Sequence, residues 1–255
     1  MRFRLHGSTA FALLLAAASA HGGDVSFSTG SPDGLMAMGA DPGTQPADDF
    51  VLAKQSVLTS ATFYILMSVS AQVSSARVDV FRVFPLDSGP ASGRVPTRVN
   101  SPSDVAYVGS TRMSGTSLNY STTLIGPSMS VGNSVLLGIH ASPNQTTGGE
   151  GPVAGAQFAL TTTFSPPIVL PAGHYFIALQ AMATSGHVFW LSAPKPITSG
   201  TPFAVDQQAW ITNSSLMPDW LRVGTDIVGG SSPQFNAAFS LSGESIIFRD
   251  GFEAH

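Results

Sequence analysis

Residues 235–242 read FNAAFSLS, with Phe235, Ala237, Phe239 and Leu241 on one parity and Asn236, Ser240 and Ser242 on the other. Successive side chains of a strand point to opposite faces, so this stretch is a strand with one face in a core. Leu118, Tyr120, Thr122 and Leu124 repeat the pattern against Ser117, Asn119, Ser121 and Thr123, and so do Ala156, Phe158, Leu160, Thr162 and Phe164. Four runs are apolar on both parities: 62–69 (TFYILMSV), 135–139 (VLLGI), 175–179 (YFIAL) and 188–191 (VFWL). Burial on both sides suits central strands. Pro171 to Gly173 and Thr184 to Gly186 bracket the third run with turn residues, and predict a hairpin there.

Working outward, the 255 residues include Gly 26 and Pro 18. These residues are costly inside helices, by about 1 and about 3 kcal/mol each, so a helical bundle is excluded. No charge run, composition break or internal repeat divides the chain. One domain is expected over 21–243: an all-β, two-sheet antiparallel β-sandwich, jelly-roll-like, of nine to eleven strands. Residues 85–104, 142–155 and 194–206 read as long irregular segments, where binding functions concentrate.

Lys+Arg number 11 against Asp+Glu 15, a formal net charge of −4, and the lysines are Lys54 and Lys195 alone. No basic patch can release counterions from a phosphate backbone, so nucleic acid is not an expected partner. Arg2 and Arg4, the apolar 10–17 (AFALLLAA) and the small-x-small Ala18-Ser19-Ala20 read as a secretory signal peptide over 1–20. The apolar run is too short to span a bilayer. The expected location is secreted, extracellular or cell-surface, with no transmembrane segment once the leader is removed. With Cys 0, disulfides are excluded and bacterial export fits best. Residues 244–255 form a short charged tail, unlike a hydrophobic sorting signal.

No G-x-S-x-G nucleophile turn, H-E-x-x-H zinc motif or cysteine zinc shell occurs. The three glutamates, Glu150, Glu244 and Glu253, do not offer the paired carboxylates of a glycosidase. Asp33, Asp41, Asp48 and Asp49 precede the first lysine and supply the oxygen ligands that calcium takes; the simpler reading is solvated turn aspartates. No other cofactor is expected. Trp190, Trp210 and Trp220 carry flat faces on which a sugar ring can stack. Gln207, Gln208, Asp219 and Arg222 are polar neighbours in sequence able to orient it. Core packing is the competing role, strongest for Trp190 in its all-apolar run. The candidate glycan residues are therefore Trp210, Trp220, Asp219, Arg222 and Gln207.

Several segments resemble one group of proteins. These are 47–50 (ADDF), 84–88 (FPLDS), 95–104 (VPTRVNSPSD), 190–196 (WLSAPKP) and 218–226 (PDWLRVGTD). Together they resemble exported bacterial β-sandwich proteins of the choice-of-anchor type. The tail 247–253 (IFRDGFE) is similar to the I-F-x-D-G-F-E endings of exported proteins of some Gram-negative bacteria. The resemblance implies location and architecture, and brings no catalytic residues with it.

The expectation is therefore a non-enzymatic exported module for binding or display, with a glycan or a cell-surface protein as partner. An assembly protein that pairs through edge strands or its tail is the alternative, and an exported hydrolase the least favoured.

Overall fold

The computed structural model describes residues 21–194, 208–229 and 234–246. Residues 1–20, expected to be a leader, residues 195–207, which hold Gln207 and most of the segment expected to be irregular, and the tail beyond Ile246 lie outside them. Sixteen strand segments follow one another. They are β1 (His21–Ser28), β2 (Met36–Gly39), β3 (Thr44–Leu52), β4 (Ser56–Met67), β5 (Val73–Val83), β6 (Pro102–Ala106), β7 (Arg112–Met113) and β8 (Leu118–Val131). The rest are β9 (Asn133–Val135), β10 (Val153–Leu170), β11 (Gly173–Ala183), β12 (Phe189–Ala193), β13 (Trp210–Asn213), β14 (Leu221–Arg222), β15 (Asn236–Ala237) and β16 (Phe239–Ile246). A π-helical turn, Val223–Val228, follows β14.

These strands form a nine-stranded and a seven-stranded sheet, antiparallel throughout except where β2 runs parallel to β9. In the first, β4 pairs with β10 along one edge and with β16 and then β12 along the other. In the second, β11 lies between β3 and β5. That explains the apolar runs on both parities in β4 and β11: each has neighbours on both edges and apolar contacts on both faces. Among the described residues no helix is long and apolar enough to cross a membrane.

The main core lies between the sheets. Phe50, Ile177 and Val80 enter it from one side, and Phe63, Leu160, Trp190 and Phe239 from the other. Trp190 meets Phe63 edge-on at 5.1 Å and Phe239 at 5.7 Å, and its indole N–H donates to Ala238 O at 2.8 Å. Full burial of each large apolar side chain stabilises the fold by about 1.5–3 kcal/mol. Asp48 also points into this core, where its carboxylate accepts the Ala237 N–H at 2.7 Å and so links β3 to β15 across the two layers.

Two expectations fail locally. β11 and β12 do not form a hairpin, because the turn at 184–186 carries the chain from one sheet to the other. Turn chemistry dictates that the chain reverses; it does not say which layer receives it. Of the run 135–139 only Val135 lies in a strand. Beyond it the N–H groups of Leu136, Leu137 and Gly138 donate to the Glu150 carboxylate at 2.8, 2.8 and 2.5 Å. A side chain there satisfies donors that a neighbouring strand would otherwise take.

The nine-stranded sheet is not flat. β8 continues through Gly132, whose N–H donates to Gly34 O at 2.9 Å, into β9, which pairs with β2, which pairs with β12. Together with β12–β4–β10–β8 these pairings bend that end of the sheet into a half-barrel.

Candidate functional site

Each sheet carries a small apolar cluster on the face turned away from the main core. On the seven-stranded sheet the outward parity places Ala47, Phe81, Phe176 and Ala178 together with Trp210 and Trp220. On the nine-stranded sheet it places Ala37, Leu66, Val131, Phe189 and Leu191 inside the curl. The two clusters meet solvent differently.

The first is covered. Trp210 and Trp220 are each 2% exposed, and Trp220 meets Phe81 edge-on at 5.3 Å. The cover is the loop 84–101, fastened to residues 214–220. Ser92 Oγ donates to Asp219 Oδ2 at 2.6 Å, and Arg94 Nη2 to Ser215 O at 2.7 Å. The buried Arg98 guanidinium pairs with Asp104, lies 3.5 Å from Asp219 Oδ1, and sits 4.7 Å above the Phe84 ring.

This arrangement corrects the sugar-stacking expectation for Trp210 and Trp220: neither presents a face to solvent. Asp219 is fully buried and serves as the anchor of the loop. Arg222 turns to Asp226, with Nη2 2.6 Å from Oδ1, while Gln208 Nε2 donates to Thr225 Oγ1 at 2.9 Å. Both side chains brace the π-helical turn. Gln207 lies outside the described residues. Trp190 occupies the core, as its apolar run predicts.

The four aspartates proposed for calcium do not converge. Asp33 accepts from Leu35 N at 2.9 Å and from Ser192 Oγ before β2; Asp41 lies after it. Asp48 faces the inter-sheet core. Asp49, next along β3, faces the opposite side, where it lies 2.7 Å from His174 Nε2. Among the described residues no three His, Cys, Asp or Glu side chains gather to hold a metal ion.

The second cluster is itself buried, with Phe189 8% exposed and the other four residues at 1% or less, but it borders an open hollow. At the mouth of the half-barrel a cavity of about 510 Å³ is lined by Leu66, Met67, Val69, Pro127, Val153 and Phe189, with Ser68, Ser128 and His187 adding polar groups. Gly155 makes its wall: a Cβ there would stand 2.7 Å from Met67 O, so β10 approaches β4 closely only because the residue is glycine. The β8–β10 register shifts at that same point, between Gly155 and Gln157 and again before Phe158. Bulges of this kind bend a sheet and re-aim side chains, which suits the lip of a curled sheet.

His187 sits at the rim with its side chain 56% exposed and Nδ1 2.6 Å from Asp41 Oδ2. The other carboxylate oxygen of Asp41 accepts the Val188 N–H at 2.9 Å. An ionised carboxylate accepts and cannot donate, so Nδ1 carries a proton, and in the neutral imidazole Nε2 keeps its lone pair. The site thus offers an apolar hollow and one oriented hydrogen-bond acceptor. Sequence reading named Asp41 for another role and missed His187, because residues 146 positions apart carry no local signal of contact.

Comparison of the chain with protein-family models, with curated proteins and with solved structures gives no match.

Proposed function

We propose that this protein is an exported, non-catalytic binding module whose ligand seat is the cavity at the mouth of the half-barrel. The observation that carries the reading is the open apolar hollow beside an oriented imidazole. Its volume falls in the range of small-molecule sites, and a mostly apolar lining with few convergent polar groups is their usual composition. The ligand class is a small apolar molecule bearing one hydroxyl or amide donor for His187 Nε2. A glycan is a poorer occupant, because its usual platforms, the tryptophans, are buried. Within the described residues His187 hydrogen-bonds to Asp41 and to no hydroxyl, so the pair orients an acceptor and does not prime a nucleophile.

A direct test is calorimetric titration of the purified chain with 1-naphthol, and with naphthalene as the analogue that lacks the donor. Saturable one-to-one binding of 1-naphthol is expected, with naphthalene weaker by up to about tenfold, the worth of one net hydrogen bond. Val153→Trp, which fills the hollow from a half-exposed position, should abolish binding while circular dichroism stays unchanged. Binding that survives Val153→Trp would place the ligand elsewhere and end the proposal for this cavity.

A further inference from the structure

We infer that β8 is a docking edge for a second copy of this chain, joined antiparallel so that two nine-stranded sheets become one. β8 pairs with β10 on one side, and between Asn119 and Val131 no backbone hydrogen bond leaves its other side among the described residues. An edge strand presents unpaired N–H and C=O groups in a row, and proteins blunt such rows with charges, prolines or bulges. Here the blunting is confined to one end, where Pro127 and the bulge at Gly126 lie. Upstream of them residues 118–126 (LNYSTTLIG) hold no charged residue and no proline. The strand also overhangs the smaller sheet. Leu124 and Ile125 are 48% and 53% exposed, and residues 121–125 are exposed throughout.

The same features select the occupant. When a strand pairs with itself about a two-fold axis, any charge on it meets a like charge nearby, which is unfavourable. A stretch free of charge, in a chain of net charge −4, is the composition that tolerates self-pairing. Same-face pairing requires the axis to pass through a residue. Centring it on Thr122 places Thr122 against its own copy and Tyr120 against Leu124 of the second copy. The ladder then runs over 120–124 and stops before the bulge and Pro127. Tyr120 is already held for this contact, since its hydroxyl donates to Val73 O at 3.1 Å. A single strand pair falls short of the roughly 1,600 Å² of a standard interface, so the dimer forms at high local concentration, as on a crowded surface.

Sedimentation velocity on the full chain from micromolar to millimolar concentration tests this. The wild type should pass from monomer to dimer across the series. Thr122→Lys and Thr122→Asp, at an exposed position, should each be monomeric up to at least tenfold higher concentration, with unchanged circular dichroism. An equimolar mixture of the two variants should associate again, because lysine then faces aspartate. A wild type that stays monomeric, a dimer indifferent to both substitutions, or a mixture that fails to reassociate would each overturn the inference. A monomeric chain that instead captures a foreign extended peptide on β8 would overturn it in favour of strand donation by another protein.

Discussion

The outer face of the seven-stranded sheet and the outer face of the curled nine-stranded sheet carry buried apolar clusters of similar size, yet one lies under a loop and the other borders an open hollow. On the sealed face the loop 84–101 is clamped to residues 214–220 through Asp219, and two tryptophans are driven to 2% exposure. On the open face the sheet bends around its own cluster, and Phe189 lines a hollow of about 510 Å³. An apolar outer face can thus be closed by a loop or turned into a container by curvature. Polar groups follow the same division: a buried pair of opposite charges on the covered side, an exposed Asp41–His187 pair at the rim of the other.

The contrast can be broken most forcefully on the sealed side. Trp220→Ala should cost about 3–5 kcal/mol in urea unfolding, since the whole indole is packed and a void remains. Asp219→Ala should cost about 3 kcal/mol, because it leaves Arg98 buried with Asp104 alone and unfastens Ser92. Should either variant unfold at the wild-type midpoint, the loop would be ornament and not cover. Beside the hollow Phe189→Ala is expected to fall at the lower end of the Trp220→Ala range, about 3 kcal/mol, because part of the ring's surroundings is already empty. Equal losses for Trp220→Ala and Phe189→Ala would mean that both clusters are equally closed.

Smaller effects sharpen the comparison. His187→Ala should change stability by no more than about 0.5 kcal/mol, since the imidazole is more than half exposed, while weakening 1-naphthol binding. Tyr175 gives a control common to both faces. It lies at the inner core against Phe50, with ring centroids 5.7 Å apart, and burial raises its pKa above the ordinary tyrosine value, with Tyr107 adding to the rise and Arg82 opposing it. The folded state therefore holds this proton more tightly than the unfolded chain. Its stabilising contribution is complete below the ordinary tyrosine pKa and fades as pH rises through the raised value. Urea midpoints measured along an alkaline series should fall in that window for wild type and lose part of the fall in Tyr175→Phe.

Much of the architecture was legible in order of residues. Alternation in 156–164 marked a strand and that in 235–242 two successive ones, but the structure has sixteen strand segments where nine to eleven were expected; ten of them have five or more residues. The remaining six span two to four residues, below the length at which alternation can be seen. Much less of the candidate site was legible. Trp210 and Trp220 look like platforms when read beside Asp219 and Arg222, but loop 84–101 arrives from more than a hundred residues away to cover them. Asp48 and Asp49 look like a pair of ligands, yet adjacent residues of one strand point to opposite sides of the sheet. The strand at 118–124 alternates as a half-buried strand does, yet much of it is exposed because the second sheet ends before reaching it.

By itself the order of amino acids determined the class of fold, since side-chain periodicity, glycine and proline act over a few neighbouring residues. It also determined that no disulfide can form and that β8 carries no charge. Only the tertiary structure decided which outer face is sealed, where the hollow opens, that Asp41 aims His187, and that β8 keeps an unpaired edge. Those outcomes depend on sheet curvature and on contacts between segments distant in sequence, which the packing of the whole chain selects and no local pattern encodes.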